Sequence, residues 1–119
     1  MVNYRELQFW QKAHTLTLAL YRATQSFPRD ELFGLVSQIR RASGSIGANI
    51  AEGCGRFGKA EFARFLNIAL GSACELDYHL LLAKDLGYLP PDQHATFEQD
   101  LTEVRRMLVS FIQKLTPDA

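Results

Sequence analysis

The sequence predicts an all-α protein, an antiparallel four-helix bundle with up-down-up-down topology. Apolar residues recur at steps of three and four in four successive segments, the spacing of a helix that buries one face. Glycine or proline separates each segment from the next. Because no segment alternates like a strand and no linker or repeat divides the chain, we expect one domain spanning residues 1–119.

The first helix is expected at about residues 5–25. Leu18 and Ala19 widen its apolar face. That face consists of Phe9, Trp10, Ala13, Leu16, Leu20 and Tyr21. Phe27-Pro28 ends this helix, because the proline ring pushes the preceding residue out of helical geometry.

The second helix is expected at about residues 30–52, with Asp30 as its N-cap and Gly53 as a left-handed stop. Its apolar stripe predicts core contacts and contains Leu32, Leu35, Ile39, Ala42, Ile46 and Ile50. A polar stripe beside it predicts a half-buried network or a subunit interface, and contains Gln38, Arg41, Ser45, Asn49 and Glu52. Gly44 and Gly47 each cost about 1 kcal/mol against alanine inside a helix. We therefore expect a neighbouring backbone to approach them closely.

The segment Gly53-Cys-Gly-Arg-Phe-Gly58 has the Gly-x-Gly-x-x-Gly spacing of dinucleotide-binding loops. Such a loop needs a strand before it, whereas this one joins two helices, so a Rossmann site is excluded. A hairpin turn is favoured. Anion binding by Arg56 and Lys59 at the start of the next helix is the alternative.

The third helix is expected at about residues 59–86, with Gly87 as its stop, and the fourth at about 91–115, with Pro91 in its first turn. The core face of the third helix contains Phe62, Phe65, Leu66, Ala69, Ala73, Leu76, Leu80 and Ala83. That of the fourth contains Phe97, Leu101, Val104, Leu108, Phe111, Ile112 and Leu115.

Ser72, Glu75 and His79 lie along the flank of the third helix. If helices two and three are antiparallel about Gly55, Arg41 lies opposite Ser72 and within one turn of Glu75. We therefore expect Arg41 to pair with Glu75, or with the same residue of a neighbouring subunit. Such a pair would fix the register more than it would stabilise the fold. The alternative is an Arg41 that extends into solvent.

The charge is balanced, with 13 Lys and Arg residues against 13 Asp and Glu residues, which gives no general indication of nucleic-acid binding. Its distribution is uneven, because Lys84 stands alone against seven acids between residues 67 and 104. The candidate nucleic-acid-binding residues are Arg40, Arg56, Lys59 and Arg64, with Arg105, Arg106 and Lys114 as further cations on the last helix.

No pattern of catalysis or metal binding is complete. No serine lies beside a plausible histidine base, and Glu75 with His79 is only a fragment of a di-iron motif. We predict no catalytic residue, no cofactor and no metal site. Cys54 is expected in a loop and Cys74 in the core, and two such cysteines form no zinc site. Without a signal peptide or a long apolar run, a cytoplasmic location without membrane contact is expected.

Several motifs resemble one bacterial family. They are Trp10-Gln-Lys-Ala13, Phe27-Pro28, Ser37-Gln-Ile-Arg-Arg-Ala-Ser-Gly-Ser-Ile, Asn49-Ile-Ala-Glu-Gly53, Glu61-Phe-Ala-Arg-Phe-Leu66 and Ala69-Leu-Gly-Ser-Ala-Cys-Glu-Leu76. The chain resembles, over about residues 5–115, the four-helix-bundle proteins named for intervening sequences in 23S ribosomal RNA genes. The resemblance implies a ring-shaped homopentamer and brings no catalytic residues.

A related branch, the accessory variability determinants of diversity-generating retroelements, forms such pentamers, binds nucleic acid and partners a reverse transcriptase. This chain departs from that branch in being neutral rather than strongly basic.

Two functions are expected from these observations. The first is a non-enzymatic oligomeric module that contacts RNA or DNA through a basic surface. The second is a protein-binding adaptor or scaffold without nucleic-acid binding. Its docking surface would be marked by exposed apolar residues, for which the candidates are Leu18, Phe33, Val36 and Phe57. A metal-dependent bundle enzyme is a remote third alternative.

Overall fold

A computed structural model describes residues 2–115 and is all-α, as predicted, with no strand among the described residues. Its four helices are α1 (Gln8–Ala23), α2 (Leu35–Cys54), α3 (Lys59–Asp85) and α4 (Pro91–Leu115). Short 3-10 turns lie at Tyr4–Glu6, Thr24–Ser26 and Arg29–Glu31. None of the described helices combines the length and the apolar character that crossing a lipid bilayer requires.

The helices form a bundle in which each packs against two neighbours, α1 and α3 each contacting α2 and α4. Neighbouring helices run antiparallel. The ring of Phe9 near the start of α1 lies 5.2 Å from that of Phe111 near the end of α4. The bundle measures 44 × 22 × 22 Å, so its two ends are well separated.

The core lies along the bundle axis, and the predicted apolar faces supply most of it. The fully enclosed side chains come from all four helices and include Leu20, Ile39, Ile46, Ile50, Leu66, Leu76, Leu80, Leu101 and Leu108. Two residues predicted in these faces are exposed instead, Tyr21 at 44% and Leu32 at 49%. Leu32 is exposed because it lies in the turn before α2 rather than in the helix.

The start of α2 differs from the prediction. The helix begins at Leu35, and Gly34 rather than Asp30 is its N-cap. Glu31, in the preceding 3-10 turn, caps α2 instead, because its Oε1 accepts a hydrogen bond from the Leu35 N–H at 3.1 Å. The other carboxylate oxygen accepts a hydrogen bond from the Tyr88 hydroxyl at 3.1 Å. This bond raises the pKa of Tyr88 and ties the α1–α2 connection to the segment between α3 and α4.

The end of α2 also differs. Gly53 is helical and buried, and the helix continues to Cys54 with Gly55 as its C-cap. A Cβ atom at Gly53 would lie 3.0 Å from Phe65 Cβ and 3.3 Å from the Phe62 carbonyl oxygen. Gly53 is thus the glycine that lets a neighbouring backbone approach.

The two glycines expected to have that role do not have it. At Gly47 a Cβ would meet the indole nitrogen of Trp10 at 3.3 Å, which is a side-chain contact, and at Gly44 it would meet nothing within 4 Å. The ends of α3 and α4 match the prediction more closely. Gly87 follows α3 with φ 81°, and α4 begins at Pro91.

These glycines lead to a test of the packing. Gly53→Ala should lower the free energy of unfolding by about 1–3 kcal/mol, because Phe62 and Phe65 must move to admit the methyl group. Gly44→Ala should raise it by up to about 1 kcal/mol, because alanine favours a helix and the site is open. Urea unfolding at one fixed protein concentration measures both. A Gly53→Ala protein as stable as Gly44→Ala would contradict this packing.

Candidate functional site

The polar stripe of α2 meets α3 at one cluster of half-buried side chains. The Ser45 and Ser72 hydroxyls are hydrogen-bonded at 2.9 Å, and the Asn49 amide nitrogen donates to the Ser45 hydroxyl at 3.0 Å and carbonyl at 2.8 Å. We call Ser45, Asn49 and Ser72 the polar seam. It fixes the register of two antiparallel helices, because a slip by one turn would separate the two serines.

The seam corrects the register expected from the sequence. Ser45, not Arg41, lies opposite Ser72, a difference of one helical turn. The extension of α2 beyond its expected end at Glu52 to Cys54 moves the register in this direction, but by only two residues.

The expected pairing of Arg41 with Glu75 inside one chain is therefore wrong. Arg41 donates a hydrogen bond to the Gln38 side chain at 2.8 Å, and Glu75 pairs with His79 at 3.0 Å. Glu52, at the end of the stripe, pairs with Arg56 at 3.5 Å. These side chains thus form local pairs along their own helices. Pairing of Arg41 with Glu75 of a neighbouring subunit stays a prediction.

The side chain of Arg40, a candidate for nucleic-acid contact, binds residues at the end of α1. Its Nε donates to the Thr24 hydroxyl at 3.0 Å, its Nη2 donates to the Tyr21 carbonyl at 3.1 Å, and its guanidinium lies 4.9 Å from the Tyr21 ring centroid. Arg40 therefore holds α2 against the end of α1. With these donors engaged, it is a poor candidate for nucleic-acid contact.

The other three candidate cations lie together where α2 turns into α3. We call Arg56, Lys59 and Arg64 the basic tip. The guanidinium groups of Arg56 and Arg64 lie 4.9 and 4.5 Å from the ring centroid of Phe65. Lys59, at the first position of α3, is exposed and forms no ion pair with any residue from 2 to 115. The structure thus places two guanidinium groups beside one buried aromatic ring, with Lys59 at the start of the helix that carries this ring.

Two carboxylates accompany the basic tip. Besides the Glu52–Arg56 pair, Glu61 accepts hydrogen bonds from Arg64 at 2.8 and 3.3 Å. These bonds, and then the positive charges of Arg64 and Arg56, lower the pKa of Glu61. Ion pairs between exposed groups contribute little to stability. A phosphate could therefore replace either carboxylate.

The four residues predicted to mark a protein-docking surface are scattered over the bundle. Phe57 is 90% exposed beside the basic tip, Phe33 is 93% exposed at the opposite end of the bundle, and Leu18 is 43% exposed on the side of α1. Val36, expected off the apolar stripe, is 3% exposed and belongs to the core, so the buried face of α2 is wider at its first turn than the predicted stripe. No continuous docking surface joins these four residues.

Exposed apolar residues on α3 were not predicted from the sequence. Ile68, Tyr78 and Leu81 are 41%, 59% and 42% exposed, outside the core face of α3. Gly71 lies between them, and a Cβ there would meet nothing within 4 Å. Cys74 of α3 is also exposed. We call Ile68, Gly71, Cys74, Tyr78 and Leu81 the outer row. The outer row could have been predicted from the sequence, because three of its members are large apolar residues outside the predicted core face of α3.

The two cysteines have the opposite environments to those expected. Cys54, predicted in a loop, is buried at the end of α2, where burial raises the pKa of its thiol. Cys74, predicted in the core, is exposed in the outer row. Among residues 2–115, no three or more His, Cys, Asp or Glu side chains are grouped so that they could hold a metal ion.

The chain matches known proteins both in sequence family and in fold. A family model described as 23S rRNA-intervening sequence protein matches residues 5–110. A crystal structure from Bacteroides thetaiotaomicron VPI-5482, of a protein with unknown function from the S23 ribosomal protein family, is 30% identical in sequence with a TM-score of 0.82. The alignment covers 88% of this chain and 95% of that one. No curated protein sequence matches the chain.

Proposed function

The chain belongs to the 23S rRNA-intervening sequence protein family, and on this basis we propose that it is a non-enzymatic helical module that self-associates and contacts RNA or DNA through its basic tip. The family match confirms the resemblance seen in the sequence. The similar crystal structure is described as a protein with unknown function, so the proposal depends on the surfaces of this chain.

The outer row of α3 is the observation that carries the proposal of self-association. A helix packed on one side of a bundle normally presents polar residues to solvent. The solvent side of α3 carries Ile68, Tyr78 and Leu81 as well as polar residues. Covering such side chains stabilises an assembly by about 25 cal/mol for each Å² of apolar surface removed from water. A second copy of the chain is the partner that is always present.

Two further features support close contact between copies. Gly71 in α3 costs about 1 kcal/mol against alanine, and no side chain in its own chain lies close enough to explain the glycine. Arg41 and Glu75 are exposed and of opposite charge, so they could pair across a contact between subunits. The family resemblance favours a ring-shaped homopentamer, in which each copy uses two different surfaces.

Assembly would also strengthen the proposed contact with nucleic acid. One copy is electrically neutral and offers only a small basic tip. A ring would repeat Arg56, Lys59 and Arg64 around an axis and so concentrate positive potential on one side. Phosphate groups are the natural ligands of such a surface, and their binding weakens as salt rises.

The assembly proposal is tested by introducing charge into the outer row. Light scattering should give the wild-type protein the mass of an oligomer, with a pentamer expected. Ile68→Lys combined with Tyr78→Lys should reduce this mass to that of one chain, because a charge buried at the contact is costly. Phe33→Lys, also exposed but at the end of the bundle, should leave the mass unchanged. A wild-type monomer at micromolar concentration would contradict self-association, and an unaffected double variant would exclude this surface. Circular dichroism verifies that each variant is folded.

The nucleic-acid proposal is tested by the salt dependence of RNA binding. The logarithm of the binding constant should fall with the logarithm of salt concentration, by about 0.7 for each phosphate contact to a single strand. Lys59→Ala should weaken binding and reduce this slope. Arg22→Ala, which removes an exposed cation near the other end of the bundle, should change neither. Equal effects of the two variants would show that the basic tip is not the contact surface.

A protein adaptor is the second candidate function. The observation that favours it is the cluster of exposed apolar residues at the end of the bundle opposite the basic tip, where Phe33 is 93% exposed and Leu32 and Leu86 are each 49% exposed. An adaptor would retain its partner at high salt, whereas RNA would be released. The two functions are therefore separable by the same salt series.

A further inference from the structure

We infer that the basic tip binds single-stranded rather than duplex nucleic acid, by stacking an unpaired base on the ring of Phe57. This inference rests on the proposed contact between the tip and RNA or DNA, and it adds the form of nucleic acid and the residue that recognises it.

The position of Phe57 is the first step. Its side chain is 90% exposed at the turn that joins α2 to α3, and it makes no aromatic contact with any residue from 2 to 115. Gly58, which follows it, has φ 85° and ψ 151°, a backbone conformation essentially restricted to glycine. The turn therefore holds Phe57 outside the bundle, where a face of the ring is free to contact a ligand.

The surroundings of Phe57 favour a nucleotide over a protein. A protein docking site needs a continuous apolar patch of a few hundred Å². The neighbours of Phe57 along the turn are Arg56, Gly58 and Lys59, so its ring is an isolated apolar group among small and cationic residues. Proteins that bind single strands combine the same two components, an aromatic ring for the base and cations for the backbone phosphates.

The cations are arranged to hold the phosphates beside a stacked base. The contacts of Arg56 and Arg64 with the ring of Phe65, at 4.9 and 4.5 Å, keep both guanidinium groups at the tip. Their carboxylate partners are exposed and replaceable, and Lys59 has no partner among the described residues. The strand backbone would thus lie across the start of α3 while one base contacts Phe57.

The choice of single strand follows from the chemistry of the base. In a duplex the faces of each base are covered by its neighbours in the stack, and only base edges reach the grooves. A phenyl ring has no hydrogen-bonding group with which to read those edges. Phe57 can therefore contribute only where bases are unpaired, as in a loop, a bulge or a free strand.

The test compares two probes, labelled oligo(dT) and a labelled DNA duplex of the same length, by fluorescence anisotropy at low salt. Phe57→Ala should weaken binding of oligo(dT) by roughly five- to 150-fold, the range for loss of one stacked base. Its binding to the duplex should stay within about twofold of wild type, because phosphate contacts alone support that binding. Phe33→Ala removes an equally exposed ring from the other end of the bundle and should change neither affinity.

Two substitutions separate stacking from simple apolar contact. Phe57→Trp should bind oligo(dT) at least as tightly as wild type, whereas Phe57→Leu should behave like Phe57→Ala because leucine has no aromatic face. If Phe57→Ala binds both probes as wild type does, or if it weakens both equally, the stacking inference is wrong while the contact of the tip with nucleic acid stands. If the wild-type protein binds neither probe, both proposals fail.

Discussion

The close approach of Gly53 to the first turns of α3 is the constraint on which the rest of the structure depends. Without a side chain at this position, Phe62 and Phe65 can pack directly against the backbone of α2. The end of α2 and the start of α3 are thereby joined at short range. The polar seam of Ser45, Asn49 and Ser72 then holds the same two helices in register farther along.

The basic tip is a consequence of this packing. Because Phe65 is held against Gly53, its ring lies where Arg56 in the turn after α2 and Arg64 in α3 can both cover it. One cation from the turn and one from α3 are therefore gathered at one end of the bundle. The same register places Arg41 away from Glu75, which leaves both charged groups available on the surface.

The periodicity of apolar residues was sufficient to predict four helices, their order and most of the core, because burial of one face depends only on local spacing. It could not predict the end of α2. Gly53 reads as a helix stop in the sequence, and only the neighbouring Phe62 and Phe65 show why it stays helical. That small difference accounts for only part of the one-turn error in the predicted register. A glycine can end a helix or can let another backbone approach closely, and only the tertiary contacts show which role it has.

The types of the residues were sufficient to predict some members of the candidate sites but not others. Four arginines and lysines were equivalent in the sequence, yet Arg40 is engaged with α1 while the other three reach the surface together. The outer row was not predicted, because one apolar face on each helix is enough to account for the core of a single chain. α3 carries exposed apolar residues outside its core face, and these residues support the proposed contact between copies.

Hydrogen exchange of backbone amides tests most directly whether the α2–α3 hairpin is the rigid unit that presents these surfaces. The slowest amides should be those of Ile46, Ile50, Leu66 and Ala69, exchanging only when the whole chain unfolds, while amides of α1 exchange sooner. α2 and α3 share the most extensive contact between any two helices of the bundle, which is the reason for this order. If the slowest amides lie in α1 or α4, or if those beside Gly53 exchange early, the hairpin is not the rigid unit of the fold.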